Sequence, residues 1–305
     1  MKDHIKNSEN PSPESVKLCT ASLTASSSPS RGEGCKKLNF ITAGVPLRAK
    51  GYEDGFQVLD EMNLDGLELE FVRGVRISDK SREVVSNAKN KVITAHAPFY
   101  VNLNAREDDK VEASIQRIIE TAQTANELGG FSITFHAGFY LGMDAEAVYK
   151  KIADGIKIIT DELKKVNNNI WIRPETTGKA TQWGDLDEII RLSKEFETVL
   201  PCVDFSHLHA RYNGGVNTFD DFCAIFEKIG NELGQSALDN FHAHIAGIDY
   251  GAKGEKKHLN LEESDMNYKD LLKAFKDFNI KGAIVCESPN IEDDAKLMKE
   301  YYLSL

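Results

Sequence analysis

Between residues 201 and 215 the chain reads PCVDFSHLHARYNGG, which puts Asp204, His207 and His209 within six residues, directly after a short apolar run. A carboxylate and two imidazoles so close together are donors for a borderline divalent cation. Other short apolar runs end the same way. His96 closes KVITAH, His136 closes FSITFH, Glu175 closes NIWIRPE and Glu287 closes GAIVCE, while His242 and His244 lie in FHAHIAG. His258 follows in the next loop. Of the eight histidines, only His4 lies outside this set.

Each residue alone has an ordinary explanation. A single His at a strand end is usually hydrogen-bonded structure, and a lone Glu there can cap the next helix. The joint pattern has no such explanation, because several carboxylates buried around one mouth are very costly without cations. Histidine and carboxylate donors with no Cys pair nearby suit Zn²⁺ best, with Mn²⁺ or Fe²⁺ as alternatives. The donors exceed the roughly four that one tetrahedral zinc takes, so at least two ions are expected. Clustered ions sharing a carboxylate suit phosphodiester hydrolysis: they activate water near neutral pH and stabilise charge on the phosphate. Glu175 is the natural shared, catalytic carboxylate.

The elements that must position these residues alternate strictly. Strands are expected at 38–43, 66–71, 91–96, 131–136, 169–175, 198–204, 241–247 and 282–287. Helices are expected at 51–63, 78–90, 108–128, 144–166, 184–196, 218–233, 266–278 and 291–303, with long loops after the sixth and seventh strands. Eight alternating units with apolar strands imply a parallel sheet covered by helices, an α/β chain forming a (β/α)8 TIM barrel. The turn after the first strand, AGVPLRAKG, has no GxGxxG, which argues against a doubly wound dinucleotide fold. Active sites of such barrels sit at the C-terminal strand ends, where the donors fall.

The 305-residue chain is 41% hydrophobic and carries a net charge of −11. Residues 1–37 are rich in Ser and Pro, lack an apolar signal core, and read as a disordered extension before a barrel domain at 38–305. This tail holds six Lys/Arg and four Asp/Glu, a net +2, which leaves the remainder at −13. That balance argues against a broad basic nucleic-acid surface, though bound cations can reverse the field locally. No apolar run reaches membrane-spanning length, so no membrane partner is expected. The five cysteines form no CxxC and read as free thiols of a reducing compartment, cytoplasmic or, in a eukaryote, nuclear.

The motifs AHAPFYVN (95–102), FHAG (135–138), RPETTGK (173–179), CVDFSHLHARYNGG (202–215), HAHIAGIDYGAKGEKKHL (242–259) and CESP (286–289) together resemble the endonuclease IV family. ITAGVPL and LELEFVRGVR (67–76) resemble its archaeal-type branch. The resemblance covers residues 38 to about 303. It implies a xylose-isomerase-like barrel and a zinc-dependent apurinic/apyrimidinic endonuclease that cleaves 5′ to abasic sites in double-stranded DNA and can trim blocked 3′ ends. A monomer is expected.

Carried over residue by residue, the resemblance assigns one zinc to His96, His136 and Glu175. A second takes Glu175, Asp204, His244 and Glu287. A third takes His207 and His258, with a family Asp where this chain has Lys256. That third site is absent, weak, or completed by another acid such as Glu255 or Asp249, so two or three ions are implied. His209 and His242 are not ligands in the resemblance. Phe99 stands where the family presses an aromatic into the minor groove; a buried loop aromatic is the competing reading. Asn102, Arg73, Arg76, Arg211 and Lys257 are candidate DNA contacts, with solvated loop positions as the default for the arginines. Lys253, Lys256 and Lys257 form a small basic patch in the mouth loop. Two rival readings remain: a metal-dependent sugar isomerase or epimerase on the same barrel, and a non-catalytic barrel that binds damaged DNA.

Overall fold

The computed structural model describes residues 36–305. The expected extension therefore lies outside the described residues but for its last two. Eight strands form one parallel sheet: β1 (Leu38–Ala43), β2 (Gly66–Glu70), β3 (Val92–His96), β4 (Ser132–Phe135), β5 (Trp171–Pro174), β6 (Val203–Asp204), β7 (Phe241–Ile245) and β8 (Gly282–Cys286). Their order is β5-β4-β3-β2-β1-β8-β7-β6. Parallel bridges Ile172↔Val199 and Glu175↔Cys202 join β5 to the run leading into β6 and close the barrel. The TIM barrel read from the alternation is the observed fold.

The helices α1 (Tyr52–Glu61), α2 (Asp79–Asn87), α3 (Asp108–Glu127), α4 (Ala145–Lys165), α5 (Leu186–Glu195), α7 (Phe219–Leu233), α9 (Tyr268–Asp277) and α10 (Glu292–Ser304) wrap the outside. In α4 the stripe Val148, Ile152, Ile156, Ile159 and Leu163 is buried, which is the 3.6-residue period turned toward the sheet. Starts are marked chemically. Asp185 with Glu188, and Thr218 with Asp221, form capping boxes that satisfy the first free amides of α5 and α7.

Three features depart from expectation. The sixth strand is short, since Pro201 has no N–H to give a ladder. The loop expected after Asp204 is instead a helix, α6 (Phe205–Arg211), and a single turn, α8 (Gln235–Leu238), follows α7. The long loop after β7 is a hairpin, Gly247–Gly251 with Gly254–Leu259, over the barrel mouth. Cys202 and Cys286 are free and buried, as read, and Cys223 is buried; the other two cysteines lie outside the described residues. No helix among the described residues is long and apolar enough to cross a membrane.

Candidate metal centre

Parallel register builds the site. Phe135 pairs with Pro174, so the next residues, His136 and Glu175, emerge side by side. Asp204 pairs with His244, and His244 pairs with Val285 two residues before Glu287. Asp204 also caps α6: its Oδ1 accepts the His207 amide at 2.6 Å. This explains the DxxH spacing. A capping carboxylate and the third helical residue face the same way.

Glu175 is the hub. Its Oε2 lies 3.1 Å from His96 Nε2 and 3.3 Å from His136 Nε2. Its Oε1 lies 3.1 Å from His207 Nδ1 and 3.5 Å from His244 Nδ1. His244 Nδ1 is in turn 3.1 Å from Glu287 Oε1. Among the described residues, three of the five donor sets whose ligand atoms lie within 4.8 Å of one another contain Glu175 or Asp204: His96, His136 and Glu175; Glu175, Asp204, His244 and Glu287; and Asp204, His207 and His258. Every residue read as a ligand from the sequence falls in one of them.

The site fits divalent cations on its own chemistry. Glu175 Oε1, Asp204 Oδ2 and His244 Nδ1 are buried and have no hydrogen-bond partner among the described residues. Such atoms cost about 1–3 kcal/mol each, more when charged, unless something satisfies them. His96 Nδ1 lies 2.7 Å from the Ala97 carbonyl, which can only accept, so it donates there. Its Nε2 faces the Glu175 carboxylate, an arrangement that needs a proton or a cation between them. Without metal, it is a proton. Burial opposes the charged ring, but the bond from Glu175 and the charges of Glu175, Glu70 and Glu68 lift His96 to about 10. His207 is likewise lifted to about 10 against burial by Asp204 and Glu175. Burial pushes Asp204 up, with His207 opposing and Glu287 and Glu175 adding to the rise. Metal uptake therefore displaces protons.

Sequence reasoning missed Glu68. It is fully buried in the barrel, with Oε1 at 3.1 Å from His244 Nε2 and Oε2 at 3.1 Å from His242 Nε2. Thr94 donates to Oε2 at 2.6 Å. Burial alone would raise its pKa, but His244 and His242 hold it far below the usual range. Glu68 thus stands against the outer nitrogen of His244, whose Nδ1 faces the centre. Glu70, on the same face, approaches Glu68 and Glu287, and burial pushes it up. The signal was the alternation in LELE: in a sheet covered on both faces, the second face is the barrel interior, not water.

The remaining candidates separate clearly. His209 Nδ1 donates to the Val216 carbonyl at 3.1 Å, and its Nε2 lies 3.1 Å from Asp265. His242 Nδ1 lies 2.8 Å from Ser132 Oγ, and burial pushes its pKa down to about 4. Both stand outside the three sets drawn around Glu175 and Asp204. Phe99 is 67% exposed in the loop after β3, so the buried alternative fails. Asn102 is half-buried, and its Oδ1 accepts the Asn104 amide. Arg73, Arg76, Lys253, Lys256 and Lys257 are exposed. Arg211 departs from both of its readings. Its guanidinium is buried and donates to Thr177 Oγ1 at 3.1 Å and to the Lys179 and Gln182 carbonyls at 2.5 and 3.1 Å. Its Nη1 is spent on that loop, and its Nε lies 3.5 Å from Asp185 Oδ2.

Comparison with known proteins places this geometry. An uncharacterized protein of Methanocaldococcus jannaschii is 46% identical over 269 residues, covering 88% of this chain and 98% of its own. A probable endonuclease 4 of Bacillus subtilis is 25% identical over 217 residues, 69% of this chain and 70% of its own. Among solved structures, endonuclease IV of Thermus thermophilus superposes with a TM-score of 0.67 at 16% identity, covering 88% of this chain and 100% of its own. A D-tagatose 3-epimerase-like protein gives 0.66 at 20% identity, covering 87% and 97%. At such identities the two structures speak for the fold alone. A family model described as xylose isomerase-like TIM barrel matches residues 56–302. The chain belongs to the xylose isomerase-like TIM barrel family.

Proposed function

We propose that this protein is a DNA-repair endonuclease that hydrolyses the phosphodiester 5′ to abasic sites in duplex DNA, leaving a 3′-hydroxyl, and trims blocked 3′ ends. The observation that carries the reading is the chaining of three donor sets through Glu175 and Asp204. A one-metal epimerase on the same barrel is accounted for by Glu175, Asp204, His244 and Glu287 alone. It leaves His96, His136, His207 and His258 without work. The likeness to probable endonuclease 4 proteins supports the same choice.

Zinc ions bound here would activate water and neutralise charge on the phosphate and leaving oxygen. The chain's part is positioning. Glu175 would be shared by His96 and His136 on one side and by Asp204, His244 and Glu287 on the other. Backbone carbonyls and Glu68 fix the ring orientations, so the donors are preorganised. The barrel mouth would take a nucleotide turned out of the stack, with the exposed Phe99 and Lys257 and the half-exposed Asn102 against the duplex. All donors come from one chain, so a monomer within residues 38–305 suffices.

The test is a labelled duplex with one abasic site, with and without chelator. Single-site cleavage that chelation abolishes and zinc restores is expected, as is loss of at least about 10³-fold in Glu175→Ala. No cleavage together with metal-dependent epimerisation of a keto-sugar would replace this reading with the epimerase. Binding without cleavage would favour the non-catalytic barrel.

A further inference from the structure

The mouth hairpin pairs in step at Gly247 with Leu259, Ile248 with His258 and Asp249 with Lys257. Then Tyr250 pairs with Glu255, not with Lys256. Lys256 is the extra residue of a one-residue bulge. In an unbroken strand, residues two apart share a face. Lys256 would then share the inward face of His258, and Glu255 would point away. The bulge exchanges them. Lys256 Nζ turns out to Asp249 Oδ1 at 3.1 Å, with both side chains exposed. Glu255 Oε2 comes to 3.7 Å from His207 Nε2.

Two glycines make this docking possible. The Glu255 amide donates to the Gly178 carbonyl at 3.0 Å. A Cβ on Gly178 would lie 2.7 Å from Glu255 Cβ, 2.9 Å from its Oε2 and 3.1 Å from His207 Cδ2, so that glycine is the room in which the carboxylate sits. Gly254 has φ +90°, and a Cβ there would lie 2.2 Å from the Gly178 carbonyl. The imidazoles are already oriented. His207 Nδ1 donates to the Thr176 carbonyl at 3.0 Å, and His258 Nδ1 to the Glu287 carbonyl at 3.2 Å. Each Nε2 lone pair is thereby left for a cation, and the rings stand 5.7 Å apart. Lys179 Nζ, 3.9 Å from Glu255 Oε2 and 41% exposed, makes only a loose pair with it.

We propose that Glu255, delivered by the Lys256 bulge, completes the outer divalent-cation site of Asp204, His207 and His258. Asp204, His207 and His258 already lie close enough to share an ion, and Glu255 beside His207 would add the fourth donor of a tetrahedral zinc site. The proposal rests on the metal-centre reading above and adds a ligand to it.

The test counts metal in purified full-length protein after zinc loading and gel filtration, by plasma mass spectrometry. A competing chromophoric chelator ranks the affinities, and circular dichroism checks the fold. Wild type should hold three ions. Glu255→Gln should hold two, or keep the weakest with affinity reduced about 10- to 100-fold. Lys256→Ala should hold three. A Glu255→Gln protein with wild-type count and affinities, or a wild type with two ions, overturns the assignment while leaving the central sets intact. A wild type that binds none overturns the metal centre itself, and Glu255 with it.

Discussion

Glu68 meets no solvent, yet it stands 3.1 Å from Nε2 of His244 while Nδ1 of the same ring faces Glu175 and Glu287. A carboxylate only accepts, so one residue can take a ring N–H from His242 and another from His244. A glutamine carries one acceptor and one donor, and one of the two rings must then turn or change tautomer. Glu68→Gln is therefore expected to weaken binding at the Glu175, Asp204, His244 and Glu287 set by about 10- to 100-fold while the fold survives. Competition against a chromophoric chelator reads this, and unchanged affinity would strip Glu68 of the role. The donors themselves were legible in sequence because they end apolar runs. Glu68 was not, since alternating Leu and Glu reads equally well as one wet face and one dry one.

At the scale of elements, the eight strands and their helices were legible from periodicity, and the mouth was not. Helix α6 has seven residues and is buried nearly all round, with Ser206, His207 and His209 as well as Phe205, Leu208 and Ala210, so it shows no amphipathic period. The hairpin after β7 has no alternating apolar face, because it is a two-stranded ribbon laid over the site. Arg211 shows the same limit. Its partners lie 29 to 34 residues upstream, so nothing local marks it as buried. Its guanidinium holds the loop from Thr177 to Gln182 against the end of α6, beside the Gly178 turn that receives Glu255. Arg211→Ala should destabilise the protein by about 2–3 kcal/mol in urea denaturation, with Arg211→Lys recovering only part. An alanine variant within about 0.5 kcal/mol of wild type would mean that water replaces the guanidinium at no cost.

Across the whole molecule, Asp65 ties the first strand to the last helix. Lys37 Nζ lies at 2.7 Å, the Phe40 amide at 2.9 Å and Lys299 Nζ, from α10, at 2.9 Å. Burial would raise its pKa, but these donors together hold it below the usual carboxylate range. The sign follows. A depressed folded value gives stability that is complete above the unfolded pKa of about 4 and is lost as pH falls through the folded value. Asp65→Asn should cost about 1–3 kcal/mol at pH 7, and less as the pH drops below about 4. Denaturation curves at pH 7 and pH 3 measure the difference, and an equal cost at both would exclude the ionised carboxylate as its source.

The barrel is not equally stitched around its circumference. Strands β2 and β3 align five residue pairs, whereas β5 and the run into β6 meet at two isolated bridges flanking Pro201. Glu175 and Asp204 stand on opposite banks of that seam. A cation held by both is a clasp as well as a reagent, placed where the ladder is broken into isolated bridges. On that account, stripping the ions loosens the cylinder along one line, and the whole circle feels the loss of what first looked like a purely chemical part.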